Sequence, residues 1–283
     1  MTDKQVTGDK CPTDPWQSPI FQPLMHEAGI AAQTLCVGLT TLRKANYMQP
    51  EKYYGGFFSY TIGLERAMKL TILLDSLVEQ GNFPTDQQLK KAYGHDLGKL
   101  LAAVQTIRVN IDPGEFRWKL PHSEIIDDAV FFLAEFAKTT RYYNLDVLSG
   151  KAPSLDPVAR WFQLVGKPLL AKRPARQTLR NAARASALEE LMGDKMIIRS
   201  MSEDGIPVSS VEEASIAEHN SEYVAKEGTF LCTSLARYVI EVLRHRGLAA
   251  RGAGHTIPAF GDFFALFNND DALLKNRKSF SIT

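Results

Sequence analysis

The sequence is poor in cysteine, and its three cysteines form no pattern. Cys11, Cys36 and Cys232 are odd in number, far apart in the chain and never spaced as Cys-x-x-Cys. A small disulfide-stabilised scaffold needs paired cysteines, and a structural zinc site needs closely spaced ligands. The sequence therefore argues against both kinds of protein and predicts reduced thiols in a cytoplasmic protein.

Long apolar segments are also missing. The first twenty residues are polar and lack the apolar core of a secretory signal. Nowhere in the chain is there an apolar run of about 18 residues, the length that a membrane-spanning helix needs. We therefore expect a soluble protein without a membrane partner.

Neither sign of charge dominates the chain. Lys plus Arg number 33 and Asp plus Glu 32, which gives a net charge of +1. A nearly neutral protein does not attract a charged partner through its overall field. Any function driven by charge must therefore come from a local patch.

The common catalytic and cofactor motifs are absent from the sequence. It contains no G-x-x-x-x-G-K-[ST], G-x-G-x-x-G, H-E-x-x-H or G-x-S-x-G. Its six histidines are scattered, with no pair at i and i+4. These absences disfavour a standard phosphate-binding loop, a metal site and a serine hydrolase, and we predict no cofactor and no metal.

Helical periodicity is what the sequence does contain. Apolar residues recur at helical spacing over 21–48, 57–80, 96–107 and 123–143, with a short capped helix at 85–94 between them. Further helical patterns cover about 156–171, 174–200 and 211–247, the last with a break expected near Gly228 and an end at Gly247. A short aromatic-rich helix is expected around 260–267. Because no useful strand pattern appears, we predict an all-α fold.

The expected organisation has three parts. Residues 1–20 are expected to form a polar arm that is either disordered or lies across the body of the protein. Residues 21–150 are expected to form a helical bundle. Residues 151–283 are expected to form a second helical region, reached through a linker at 144–157 that contains two prolines, a glycine and two serines. The phenylalanines of FFALF are too apolar to stay in water, so this end should pack on the bundle or form a subunit interface.

The segment GHDL at 94–97 has two interpretations. In the first, Gly94 ends one helix in a left-handed conformation, Asp96 caps the next, and His95 has no role. In the second, His95 pairs with Asp96 or another carboxylate as an acid/base couple. The residues alone favour the first interpretation, because neighbouring side chains at a helix start point apart.

The order of short motifs between about 50 and 148 resembles that of HEPN domains. The sequence has LERAMKLTI on a long helix, YGHDLGKLL opening the next one, and KTTRYYNLD at the end of a later helix. The resemblance implies a four- or five-helix bundle that forms a homodimer, in a bacterial defence or toxin-type setting. Catalytic HEPN members are metal-independent ribonucleases in which an arginine stabilises phosphate charge and a histidine four to six residues later moves protons.

The chain departs from that catalytic signature. Its match to Arg-x4-His is Arg117 to His122, where Pro121 interrupts the helix that normally carries the pair. Members with the His-Asp-Leu turn but without the signature resemble binding modules. The resemblance therefore favours a binding protein and leaves a degenerate ribonuclease open as an alternative. The catalytic candidates are His95, Asp96, Arg66, Arg117, His122 and Arg141.

A second signal is electrostatic and independent of the resemblance. Residues 157–188 contain seven Lys and Arg residues and no Asp or Glu. On one helix, Arg176, Arg180 and Arg184 would stack on a single face at i, i+4 and i+8. Like charges so placed repel each other, so we expect an anion to compensate them. The candidates are carboxylates of the fold, such as Glu212, Glu213 and Glu218, or a phosphate backbone.

Three functional hypotheses follow. The first is a binding protein whose partner is RNA or another protein, with Lys172, Arg173, Arg176, Arg180 and Arg184 as the nucleic-acid contacts. The second is the metal-independent ribonuclease, and the third is a structural or regulatory helical protein whose arginines are neutralised internally. Salt-sensitive binding would distinguish the first from the third.

Overall fold

The computed structural model describes residues 14–112, 114, 116–120, 123–151 and 155–282, and it is mostly helical. The first half contains α1 (Phe21–Arg43), α2 (Glu51–Gln80), α3 (Asp86–Ala92), α4 (Leu97–Val109), α5 (Glu124–Glu135) and α6 (Tyr143–Leu148). The second half contains α7 (Pro157–Trp161), α8 (Lys167–Ala171), α9 (Ala175–Met192), α10 (Val211–Gly252), α11 (Phe260–Phe263) and α12 (Asp271–Asn276). The predicted all-α class is confirmed.

Several helix boundaries follow directly from the sequence. Gly81 ends α2 at φ 74°, where a side chain would be strained, and Thr85 forms a capping box with Gln88 at the start of α3. The Ser123 side chain accepts a hydrogen bond from the backbone N–H of Ile126 and caps α5. A π-helical segment, Phe136–Thr140, continues α5, and another, Phe162–Gly166, joins α7 to α8.

Other predicted boundaries are wrong. The first helix ends at Arg43 and α9 ends at Met192, earlier than expected, and α6 occupies part of the expected linker. After α9 the chain forms a small antiparallel hairpin of β1 (Ser200–Met201) and β2 (Pro207–Val208). Two-residue strands are too short for an alternating pattern, so the sequence could not indicate them.

The expected break in α10 is also absent. Its glycines make room for packed side chains and do not bend the helix. A Cβ at Gly228 would lie 3.1 Å from Trp161, and a Cβ at Gly247 would lie 2.8 Å from Phe260. Both glycines sit inside one continuous helix, where they let aromatic side chains approach the backbone. Gly247 is therefore not the C-cap that the sequence predicted, and α10 continues to Gly252.

Helices α1 and α2 cross very closely. A Cβ at Gly38 would lie 2.5 Å from the backbone nitrogen of Tyr60, and a Cβ at Gly63 would lie 2.6 Å from that of Leu35. A Cβ at Gly56, in the Gly-Gly pair of α2, would lie 2.7 Å from the side chain and 3.1 Å from the backbone nitrogen of Leu42. Without these glycines the two backbones could not approach each other, so glycine fixes the geometry of this pair.

One hydrophobic core contains residues from both sides of the expected boundary at 150/151. The ring of Trp161, from the second region, lies 5.0 Å from that of Phe57 and 5.2 Å from that of Phe132. α10 packs on α1, α2 and α4. Phe260, Phe264 and Phe267 are buried, so the aromatic end packs on the bundle, one of the two outcomes expected.

Residues 1–13 of the expected arm lie outside the described part of the chain. Pro15–Gln17 form a short 3-10 helix, and the Ser18 hydroxyl donates a hydrogen bond to the carbonyl of Thr256 at 3.2 Å. Cys36 and Cys232 are free and buried, and burial raises the pKa of Cys36 to about 11. Cys11 lies outside the described residues. Burial thus keeps the two described thiols in their protonated, unreactive form at neutral pH.

Candidate functional site

Helix α9 contacts the rest of the protein along a narrow line. Asn181 and Ala185 are its buried residues, and they face α10. Five alanines give the segment a strong helix propensity, so it stays helical with little packing. Most of its surface is left available to a partner.

Arg176, Arg180 and Arg184 form an arginine stripe along the exposed side of α9. All three side chains are exposed, and successive members are four residues, or about 6 Å, apart along the helix axis. None of the three has a hydrogen bond or an ion pair with another residue that the structure describes. The three arginines lie on one helix at i, i+4 and i+8, as the sequence predicted, and the stripe holds three charges without a described counter-ion.

The carboxylates expected to neutralise the arginine stripe have other partners. Glu212 accepts a hydrogen bond from the hydroxyl of Ser186 at 3.1 Å. Glu213 caps α10 and accepts from the backbone N–H of Ser209 at 2.7 Å, and these hydrogen bonds lower the pKa of Glu213. Glu218 forms no ion pair with the described residues. Internal neutralisation of the stripe is therefore not observed in the described part of the chain.

The other two predicted nucleic-acid contacts flank the start of α9. Arg173 donates to Asn220 at 2.9 Å and to the Thr178 hydroxyl at 3.1 Å, which ties the start of α9 to α10. Both acceptors are neutral, so the positive charge of Arg173 is not compensated by them. Lys172 is exposed and lines the groove that runs beside α9.

That groove has a volume of about 620 Å³ and lies between α9, α10 and α12. Arg180 and Arg184 line one wall, and Lys226 and Lys275 line the other. The groove also contains Glu222 and Glu227, of which Glu227 pairs with Lys275 at 2.8 Å. The two lysines are far from α9 in the sequence, so no spacing pattern could have connected them with the arginine stripe.

The GHDL segment forms the helix boundary that the sequence predicted. Gly94 has φ 54°, and the side chain of Asp96 accepts from the backbone N–H of Lys99 at 3.1 Å, so it caps α4. Asp96 also pairs with Lys138 at 2.6 Å, and this hydrogen bond lowers the pKa of Asp96. Asp96 therefore has a structural role as a cap.

His95 does have a carboxylate partner, although it is not Asp96. Its Nδ1 lies 2.9 Å from Oε1 of Glu65 on α2, and its side chain is 78% exposed. The same Glu65 oxygen accepts from Lys69 at 2.7 Å. An imidazole beside a carboxylate can exchange protons with a bound group, so the alternative interpretation of GHDL keeps a geometric basis.

The candidate arginines have described partners other than His95. Arg66 donates to both oxygens of Glu27 on α1, at 2.7 and 2.6 Å. Arg117 lies over the ring of Trp118, and its backbone N–H donates to Glu241 at 2.7 Å. Arg141 lies over the ring of Tyr142. His122 lies outside the described residues.

Within the described ranges, no group of three or more metal-ligating side chains is found. None of the described helices combines the length and the apolar character needed to cross a membrane. In comparisons with known proteins, the chain matched no family model, no curated protein and no solved structure.

Proposed function

We propose that this protein binds RNA through the phosphate backbone, with the arginine stripe of α9 as its main contact surface. The observation that supports this proposal is the set of three exposed arginines without a counter-ion on a weakly packed helix. Like charges at i and i+4 cost a few tenths of a kcal/mol per pair, which a polyanion relieves on binding. Arginine also suits phosphate, because its planar donors bind two oxygens at once.

The geometry of α9 fits a repeating anion better than a single one. The three arginines recur about every 6 Å along the helix axis, and the phosphates of a nucleic-acid strand recur at a similar distance. The adjoining groove adds the charges of Lys172 and Lys226 beside this line. A strand could thus follow α9 while its bases lie over the groove.

The resemblance to HEPN domains supplies the wider proposal. On this basis we propose that residues 50–148 form a HEPN-like bundle and that the protein acts in a bacterial defence or toxin-type system. A protein partner is the alternative ligand, and it would contact the arginine stripe through its own carboxylates.

Binding of a labelled single-stranded RNA, measured by fluorescence anisotropy at several salt concentrations, tests the proposal. We expect the logarithm of the affinity to fall linearly with the logarithm of the salt concentration, because bound phosphates release counter-ions. A labelled DNA strand of the same sequence shows whether the sugar contributes. An absence of RNA binding, or binding that does not depend on salt, would contradict the proposal and favour a protein partner.

A second candidate function, a degenerate metal-independent ribonuclease, is favoured by the His95–Glu65 pair. Incubation of the protein with mixed cellular RNA in EDTA separates the two functions. For a binding protein we expect the RNA to remain intact. Cleavage that persists in EDTA, is lost in His95→Ala and is kept in Lys91→Gln on the neighbouring α3 would instead establish the ribonuclease.

The resemblance also implies a homodimer. We expect light scattering to give a mass of twice the 31.5 kDa of one chain. A mass of one chain across the accessible concentration range would remove the dimer from the proposal.

A further inference from the structure

A second cavity lies away from α9, between the α1–α2 connection, the start of α7 and the β1–β2 hairpin. Its volume is about 410 Å³, within the range of sites that hold small organic molecules. Much of its wall is apolar and includes Met48, Pro50, Val158 and Met201. Such a wall favours a ligand with an apolar body.

Glu203 of the hairpin lines this cavity although it is only 5% exposed. Its Oε1 accepts hydrogen bonds from the hydroxyl of Tyr53 at 3.3 Å and from that of Ser221. Both hydroxyls bind Oε1, and Oε2 receives no hydrogen bond from any other residue that the structure describes. The carboxylate also accepts a hydrogen bond from the backbone N–H of Glu203 itself, so its described donors are two neutral hydroxyls and one backbone N–H, and none of them is a cation.

No cation of the protein neutralises Glu203 in the described structure. None of the described lining residues is a lysine or an arginine, and Lys167 pairs with Asp204 at 3.5 Å. Burial raises the pKa of Glu203, as expected for a carboxyl group that lacks a cationic partner. A cation placed in the cavity would reverse this effect.

Asp156, the second carboxylate of the lining, has its oxygens occupied. Oδ1 accepts from the backbone N–H groups of Val158 and Ala159 at 2.8 and 3.1 Å, so it caps α7. Oδ2 accepts from the hydroxyl of Tyr54. Asp156 therefore adds negative charge near the cavity, and Glu203 is the lining carboxylate with an oxygen that no other described residue occupies.

We propose that this cavity binds a small organic cation, an ammonium or amidinium group on an apolar body, whose N–H donates to Oε2 of Glu203. The apolar body packs against the methionine and proline side chains of the wall. This site is independent of the proposed RNA contact, since none of its lining residues belongs to α9.

Calorimetric titration of the full chain with three cations and their neutral counterparts tests the proposal. The pairs are 2-phenylethylamine with 2-phenylethanol, benzamidine with benzamide, and hexylamine with 1-hexanol. We expect at least one cation to bind about tenfold or more tightly than its counterpart, because a charge-assisted hydrogen bond in a partly dry site is strong. Failure of all three cations to bind, or equal binding within each pair, would overturn the proposal.

Glu203→Gln keeps the shape of the side chain and removes its charge, so it should reduce cation affinity about tenfold or more. Asp204→Asn is the matched control, since it removes the neighbouring charge at a residue outside the cavity lining and keeps the Oδ1 that accepts from the Ser202 hydroxyl at 2.6 Å. Equal losses in both variants would show that only the general negative field matters and would also overturn the proposal. Circular dichroism shows whether Glu203→Gln folds. If it does not fold, the comparison of each cation with its neutral counterpart on the unmodified protein decides whether the proposal holds.

Discussion

Replacement of Arg176, Arg180 and Arg184 together by glutamine is expected to weaken the binding of single-stranded RNA on the order of 100-fold at about 0.1 M salt. Each contact between a cation and a phosphate releases roughly 0.7 of a counter-ion from a single strand, so three lost contacts lower the salt slope by about 2. The difference between the variant and the parent should therefore shrink as the salt concentration rises. Anisotropy titrations over a range of salt concentrations measure both effects.

The fold should tolerate this triple substitution. The three side chains are exposed and have no described partner, and glutamine is a good helix former. We expect the melting temperature to stay the same or to rise slightly, because repulsion within the arginine stripe is removed. Weaker binding can then be assigned to lost contacts, with no contribution from unfolding.

The matched control removes the same net charge elsewhere. The side chains of Lys44, Lys91 and Lys119 are exposed and have no hydrogen bond or ion pair with the described residues, and they lie outside α9. Their joint replacement by glutamine should change the affinity little. An equal loss in both triple variants would assign binding to net charge, and an unchanged affinity in the arginine variant would exclude the stripe as the contact.

Gly38→Ala is expected to destabilise the protein by about 3 kcal/mol or more, as overpacking of a core does when the neighbour cannot move. The added Cβ would lie 2.5 Å from the backbone nitrogen of Tyr60. A backbone atom in the middle of α2 cannot rotate away, so the two helices must separate. Urea unfolding should show a lower midpoint for this variant.

Gly29→Ala is the control on the same helix, and its expected effect has the opposite sign. Apart from its chain neighbours and the adjacent helix backbone, no heavy atom lies within 4 Å of a Cβ built at Gly29. Alanine there should stabilise the protein by about 0.5–1 kcal/mol, because glycine in a helix interior gives up more conformational freedom on folding. Similar effects of the two substitutions would contradict the close crossing of α1 and α2.

The helix boundaries that could be predicted depend on local chemistry. Asp96, Ser123 and the Thr85–Gln88 capping box each satisfy a backbone N–H within a few residues, so the sequence contains the whole interaction. The stacking of the arginine stripe follows equally from helical geometry alone. These features can therefore be predicted without any knowledge of tertiary contacts.

Two glycines of α10 show what local sequence patterns cannot predict. Gly228 and Gly247 look like helix breakers in the sequence, yet they allow Trp161 and Phe260 to pack against α10. The aromatic residue that packs on each glycine is distant in the chain, so a local sequence pattern cannot identify it. For the same reason the sequence could offer only Asp96 or an unspecified carboxylate as the partner of His95, and the observed one, Glu65, is thirty residues away.

The sequence by itself determined the helical class, the caps and the line of arginines on α9, because each depends on residues within a few positions of one another. Only the tertiary structure decided that the arginine stripe has no described counter-ion, that Lys226 and Lys275 face it across a groove, and that Glu203 lines a cavity. The physical reason is that charge compensation and burial depend on distances in space, and packing brings together residues that sequence spacing does not relate.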